Sequence, residues 1–550
     1  MGSLWVLSCL LSLVTGSHDL HTSWTHMEQL WQDEVRVLKQ IRTLIHSFTE
    51  LNLVLQRYVE SWEAVGGEGD EWSGDAGDPA ATYSLLRHVA EGWTQVDDAL
   101  GKTKEIFSDI EMLASRADRE LLPRNEDVME ASEAVVRLAH VYSLNMTLLA
   151  SGRLLPAPLQ TASTPPPNLH SLSVRELASI GLVAVNKGYL NAGVEFLRAA
   201  RARAEIHAHV EKEEPWARQF STQRLDTLLT TAVRLHDHVL EIRGPRSLTH
   251  VTAPTPYEHQ RESLSYVKEE EGVVVGVQYL KLHGNKTWML QQRPLVELHQ
   301  VERLCRGGDL RTNLVISELQ CRYMSSGSPW LLLAPFKVEQ VSLDPYIVLI
   351  YEVINPGEIE QVKERASRHL HASHNVLKDF NHSASRSPWS LKHVWLEEEV
   401  QSLWNLDRRF SHLARVTLPQ HHSEPYMVAE YGLGGSYEAH RDTYGPVRSP
   451  PDLHVGERMA SVLTFLQAPT AGGRTVFPWV GVGVGVVERA ALLWWNLLSS
   501  HEHDFLTRHA TCPVLHGSLR VVKKWVGYTA QWQTQPCGTD PSRKIMIPSH

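Results

Sequence analysis

The stretch Tyr431 to Asp442, YGLGGSYEAHRD, ends with a histidine and an aspartate two positions apart. Side chains alternate faces along a β-strand, so His440 and Asp442 would project an imidazole and a carboxylate the same way. A second histidine from a distant strand would complete two nitrogens and one carboxylate on one face of a metal ion. The opposite positions then stay open for a chelating cosubstrate and dioxygen, as at non-haem Fe(II) centres. His509, in RHATCPV between apolar runs, is the distal choice. The triplet by itself is weak, because 30 histidines give about one H-x-D by chance. H-R-D also occurs in protein-kinase catalytic loops. No Asn follows at the required offset here, and D-F-G and V-A-I-K are absent, so a kinase is excluded.

Elements suited to hold such a site can be read along the 550 residues, which are enough for several domains. The composition is ordinary for globular protein, and a net charge of -10 argues against a general nucleic-acid binder. Residues 4–14, LWVLSCLLSLV, are too short to span a bilayer but suit a signal peptide, with cleavage near residue 17. Removing Cys9 with it leaves Cys305, Cys321, Cys512 and Cys537. Four cysteines in an oxidising compartment allow three connectivities, of which local pairing is the simplest. Asn145, Asn285 and Asn381 head glycosylation sequons. The end, IMIPSH, is not a retrieval signal of the Lys-Asp-Glu-Leu type.

From Trp24 to Trp62 apolar residues recur at three- and four-residue steps, giving a long amphipathic helix. It is either a coiled-coil seam or a helix packed within its own domain. Helical patterning continues to about Arg153, closing an all-α region over 18–153. Residues 154–169 are a Pro-rich linker. The region 170–250 is helical again. ELASIGLVAVNKGYLNAGVEFLRAA, residues 176–200, has the spacing of a tetratricopeptide unit or of an ordinary helical hairpin, with Leu177, Gly181, Ala184, Tyr189, Ala192 and Phe196 at the packing positions. A connecting region, 251–330, leads into strand-like runs. Pro356 to Leu370 reads as a helix capped by Asn355. Short strands from Met427 to Trp532 predict an antiparallel sandwich or barrel.

Context then sharpens the triplet. YGLGGSYEAHRD, ERMASVLTFLQAPTAGGRTVFP, ALLWWNL and RHATCPVLHG follow in order, and LPRNEDVMEASEAVVRLAHVYSLN lies upstream. The set resembles the collagen prolyl 4-hydroxylase α subunit across essentially the whole mature chain. The resemblance implies a double-stranded β-helix (jelly-roll) catalytic domain over 331–537 with flanking helices and a tail, 538–550. Residues 18–153 become a dimerisation domain and 170–250 a tetratricopeptide-like peptide-substrate-binding domain. His440, Asp442 and His509 match the iron ligands. Tyr431 and Thr475 match positions that hydrogen-bond 2-oxoglutarate. Tyr437, Arg458 and Trp525 match positions near the peptide, and Tyr189 an aromatic of the peptide-binding helices. Cys512 with Cys537 keeps the family's disulfide spacing, and Cys305 with Cys321 nearly does. The implied activity is hydroxylation of proline at C4 in procollagen or collagen-like peptides, with Fe(II), 2-oxoglutarate, O2 and L-ascorbate, in the endoplasmic reticulum lumen. The implied partner is protein disulfide isomerase, as the β subunit of an α2β2 tetramer.

Two positions depart from the family. Its 2-oxoglutarate-binding lysine is Leu519 here, and a leucine cannot neutralise a buried carboxylate. Arg520 takes its place only if a bulge turns it inward. Lys523 has the parity of Leu519 but lies about 13 Å further along an extended strand. A histidine near the cosubstrate's other end is Gly527. The peptide-binding helices also carry fewer tyrosines, with Leu190 beside Tyr189. A catalytically impaired, peptide-binding homologue is therefore the alternative expectation.

Overall fold

The computed structural model describes residues 23–64, 67–68, 71–72, 79–116, 125–152, 171–207, 221–243, 286–325, 329–370, 391–396, 401–418, 423–444, 455–540 and 544–545. The signal-peptide and linker expectations, and the sequons at Asn285 and Asn381, lie outside them. Two compact units emerge, one holding Thr25–Arg124 and the other Asn125–His550.

The first unit has two long helices, α1 (Trp24–Ala64) and α2 (Pro79–Arg116). Tyr58 stacks on His88 with ring centroids 4.5 Å apart. Much of the apolar stripe read along α1 is exposed, including Met27, Trp31, Val35, Ile45 and Phe48.

The second unit is layered. Its helices begin with α3 (Asn125–Val141), α4 (Val174–Asn186), α5 (Leu190–His207) and α6 (Thr222–Arg243), followed by α7 (Lys286–Cys305). Ser173 and Glu176 cap α4 reciprocally, satisfying donors that the first turn leaves without partners. Gly181 faces Gly193 and Leu197 across the α4–α5 pair, where an added Cβ would stand 2.9 Å from Leu197, so small residues set how closely these helices approach.

The strands follow as β1 (Cys321–Met324), β2 (Phe336–Leu343), β3 (Tyr346–Tyr351), β4 (Lys392–Leu396), β5 (Tyr426–Tyr431), β6 (Tyr437–His440) and β7 (Arg458–Gln467). After these come β8 (Ala471–Gly472), β9 (Thr475–Phe477), β10 (Val482–Val484), β11 (Ala491–Trp495), β12 (His509–Thr511), β13 (Val514–His516) and β14 (Leu519–Gly527). An eight-stranded sheet runs β1-β2-β3-β11-β7-β14-β5-β4, and a four-stranded one β10-β9-β12-β6. All pairings in both are antiparallel. The chain is thus helical in its N-terminal region and sheet-rich in its C-terminal region.

Each sheet buries both faces. The outer face of the large sheet packs Val348, Val462, Val522 and Val526 against α8 (Pro356–Leu370) and α9 (Gln401–Ala414). Asn355 caps α8 as its sequence predicts, accepting from Glu358 N at 2.9 Å while Glu358 Oε2 accepts from Asn355 N. Val476, Ala510 and Leu515, from the small sheet and its neighbouring strand, pack with α3, α4 and α5. Between the sheets lie Phe465, Phe477, Leu492, Trp494, Leu519, Val521 and Trp525.

The expected local disulfide pairing is overturned. Cys305 bonds Cys512 across 207 residues, while Cys321 and Cys537 are free and exposed. Packing explains it: Cys305 at the end of α7 and Cys512 just after β12 are buried in the same apolar cluster, whereas Cys321 stands on the edge strand β1.

Candidate metal centre

Two strands of the small sheet bring the histidines together, with His440 on β6 directly opposite His509 on β12. Asp442 follows just after β6 rather than within it, and its carboxylate turns inward beside both rings. The three potential ligand atoms lie within 4.8 Å of one another. His440 Nδ1 meets the Glu438 carbonyl at 2.8 Å, and His509 Nδ1 meets that of Thr507 at 3.0 Å. A carbonyl can only accept, so these bonds place the ring protons on Nδ1 and leave both Nε2 atoms as bases facing the centre. His440 Nε2 is buried without a hydrogen bond. Tyr437 stacks on His440 at 3.7 Å, and Trp494 meets His509 edge-on at 4.7 Å, which hold the two rings in place.

Asp442 is bound from two sides. Ser461 Oγ donates to Oδ2 at 2.6 Å and itself accepts from Asn496 at 2.9 Å. Lys523 Nζ, from β14, donates to Oδ1 at 2.8 Å and stands 3.5 Å from His509 Nε2. Burial alone would raise the carboxyl pKa. The Lys523 ammonium is the largest opposing influence, and Asp442 is held well below its ordinary range. Burial keeps His509 well below the usual histidine value and lowers His440 as well, so both rings are neutral. Lys523 is also lowered by burial, against the pull of Asp442. The donor set fits a divalent transition metal: two pinned imidazoles, one carboxylate, and an Nε2 atom that nothing else satisfies.

One small pocket gathers many of the remaining positions. Tyr431, Tyr437, Thr475, Thr511, Val521 and Lys523 line it with both histidines. Its volume is about 10 Å³, roughly the space one water needs by this measure. Hydroxyls and an ammonium suit a carboxylate, but a five-carbon dicarboxylate is far larger than this volume. Leu519 is buried in the apolar cluster between the sheets with Tyr431, Val514 and Val521.

Arg458 lies at the flank. Its guanidinium pairs with Glu424, reaches the Asp442 carbonyl at 3.2 Å, and stacks on Trp525 at 3.9 Å and Tyr444 at 4.6 Å. Trp525 Nε1 is buried without an acceptor. Tyr189 is elsewhere, packed with the helical cluster and edge-on to His140 at 5.6 Å. Asn145 is exposed and caps a short helix through Oδ1.

The inward bulge needed by Arg520 is not formed in the required sense. β14 does bulge between Arg520 and Val521 against β7, yet Arg520 turns to the buried Glu430, 2.9 Å away, and that carboxylate satisfies it. Gly527 has a structural reason. A Cβ there would stand 2.4 Å from the Val455 carbonyl, so no side chain fits without moving the backbone. Lys523 and Ser461 are the site residues that sequence reasoning missed. Strand parity places Lys523 on the inward face, but its partner Asp442 lies at the metal centre and not at the Leu519 end.

A two-sheet body enclosing two histidines and one carboxylate defines a candidate non-haem metal protein. Residues 23–156 match the model described as "Prolyl 4-Hydroxylase alpha-subunit, N-terminal region". The mouse prolyl 4-hydroxylase subunit alpha-3 is 28% identical, over 98% of this chain and 99% of that protein. The Caenorhabditis elegans subunit alpha-2 is also 28% identical, over 97% and 96%. Among solved structures, the 2OG complex of a viral collagen prolyl hydroxylase from Paramecium Bursaria Chlorella virus-1 aligns with 32% of this chain and 94% of its own, at 18% identity and a TM-score of 0.25. The chain resembles prolyl 4-hydroxylase α subunits over nearly its whole length, at about 28% identity. Among the described residues, no helix is long and apolar enough to cross a membrane.

Proposed function

We propose that this chain is an α-subunit homologue that hydroxylates proline at C4 in procollagen or collagen-like peptides, using Fe(II), 2-oxoglutarate and O2. The observation that carries this reading is the His440, Asp442 and His509 cluster, with both Nδ1 atoms pinned to carbonyls and both Nε2 atoms turned inward. Iron with 2-oxoglutarate, when bound, supplies the oxidising chemistry, with release of succinate and CO2. The rest of the assignment falls to the chain's own residues. Tyr431 and Thr475 offer hydroxyls to the dicarboxylate, and Lys523 is the ammonium lining the same pocket. Tyr437, Arg458 and Trp525 border the peptide, and the unpaired Trp525 Nε1 is a donor for a peptide carbonyl. Tyr189 on the α4–α5 hairpin takes part in polyproline docking, which favours aromatic surfaces. The two sheets form a jelly-roll, and the hairpin is a tetratricopeptide-like unit.

In the same reading a signal peptide directs the chain to the endoplasmic reticulum lumen, and L-ascorbate keeps the iron reduced. Protein disulfide isomerase is the β subunit of an α2β2 tetramer, and the exposed stripe of α1 is the dimer seam.

A second reading, a catalytically impaired peptide-binding and assembly homologue, is favoured by Leu519 in its apolar cluster and by the small pocket. Co-expression with protein disulfide isomerase separates the two, with peptide-stimulated 2-oxoglutarate decarboxylation measured for the parent and for Leu519→Lys. Turnover by the parent is expected. A silent parent with an active Leu519→Lys variant would overturn the enzymatic reading in favour of the second.

A further inference from the structure

We propose that Lys523 is an internal counter-cation that occupies Asp442 until a metal ion displaces it, and so weakens metal binding by the chain. This rests on the reading of the triad as a metal site.

The register of β14 settles where Lys523 points. Its neighbours on the same face, Val521 and Trp525, are core residues between the sheets, while Val522 and Val526 face the opposite layer. The lysine side chain is 5% exposed, and its Nζ lies 5.0 Å from the Trp525 ring centre and 5.5 Å from that of Trp494. An ammonium confined among aromatic rings in a dry interior needs a counter-charge, and Asp442 supplies it at 2.8 Å. That carboxylate is also the only acidic member of the triad. The ammonium donates to Asp442 Oδ1 and approaches His509 Nε2, two of the atoms a metal would need.

A divalent ion entering this centre therefore competes with a fixed positive charge for a single carboxylate. Nearby charge does not relieve the conflict. Arg458 is a further cation, and its partner Glu424 is already engaged through a hydrogen bond of 2.6 Å. Ser461 holds the other Asp442 oxygen but brings no charge. Removing the Lys523 charge frees Asp442 for metal and removes the repulsion together.

The test is calorimetric titration of Mn(II) alone into the full-length chain, its Lys523→Met and Lys523→Arg variants, and a His509→Ala control. Mn(II) avoids oxidation, and the readout does not depend on turnover. Lys523→Met is expected to bind Mn(II) about 10–100-fold more tightly than the parent, the range over which residues that support metal ligands alter affinity. Lys523→Arg, which keeps the charge, is expected to stay weak like the parent, and His509→Ala to lose binding. Lys523→Gln, which keeps a donor to Asp442 without the charge, serves if Lys523→Met does not fold, with tighter binding again expected. Equal affinity in the parent and the uncharged variants would overturn the proposal while leaving the triad a metal site. Folded parent and variants that all fail to bind Mn(II) would instead overturn the triad reading, and the proposal with it.

Discussion

The inward face of β14 has two chemically opposite ends. At Leu519 it is apolar, enclosed by Tyr431, Val514 and Val521. At Lys523, four residues on, it is charged and locked to Asp442 in a buried ion pair. Strand parity gives both side chains the same face, so one β-strand offers a cation to the metal end and none to the deep end. A buried charge is tolerated where a compensating group exists, and only the metal end has one. That difference teaches that the polar chemistry of this interior is concentrated around Asp442.

The largest expected effect breaks the metal end. Asp442→Ala leaves the Lys523 ammonium buried without a counter-charge and should destabilise the metal-free chain by about 3–5 kcal/mol in urea unfolding. Adding Lys523→Met to that variant should recover much of the loss, because the stranded charge is then gone. If the double variant is no more stable than Asp442→Ala, the ion pair does not distinguish the two ends.

A covalent difference runs in parallel. Cys512 follows β12 directly, three residues after His509, and is joined to Cys305 at the end of α7. The metal end is thus tied to the helical layer, whereas apolar packing holds Leu519. Replacing both cysteines by serine should cost about 2–5 kcal/mol. Peptide mapping without reduction should recover Cys305 linked to Cys512. A Cys512–Cys537 peptide in its place would show that the tie belongs to the C-terminal segment.

What the sequence made legible follows the same division. His440, Asp442 and His509 could be named because a strand's period of two and an ordered run of motifs constrain them strongly. The α8 helix and its Asn355 cap were readable because capping is a local matter. The disulfide was not, since proximity across 207 residues depends on how α7 packs against the small sheet. Lys523 fell between these cases. Its face was readable from parity, but its partner was not, because Asp442 comes from a different strand region of the other sheet's connection. Arg520 illustrates the same limit. Whether it turned inward depended on Glu430 across the β14–β5 ladder, where the two residues pair directly.

That ladder gives a third way to sharpen the comparison. Arg520→Met takes the ion-pair partner from the fully buried Glu430 carboxylate, which keeps the Ser23 hydroxyl at 3.2 Å, on the face away from the pocket. A loss of about 2–4 kcal/mol is expected, somewhat below the usual range for breaking a buried pair because Arg520 keeps some exposure. Mn(II) affinity should be unchanged. A large change in metal binding would mean that the two faces of β14 are not independent.

The smallest effect concerns protons, and again the two ends differ, since Leu519 and its apolar neighbours do not titrate at mild pH. His509 is held well below its ordinary pKa by burial, so it stays neutral in the folded chain. In the unfolded chain it takes up a proton near pH 6.5. The unfolded state then binds more protons below that pH, and stability must fall as the pH is lowered. This contribution is fully present above about pH 6.5 and declines below it by at most about 1.4 kcal/mol per pH unit, until the folded pKa is reached. His440 acts in the same direction. Asp442, itself lowered, adds its own loss only as the pH drops below about 4. Urea unfolding in the presence of a chelator between pH 7 and 5 should therefore show a shallower slope for His509→Gln than for the parent. Leu519→Ala, although less stable throughout, should keep the parent's slope. Equal slopes for all three chains would remove acid sensitivity from the list of differences between the two ends.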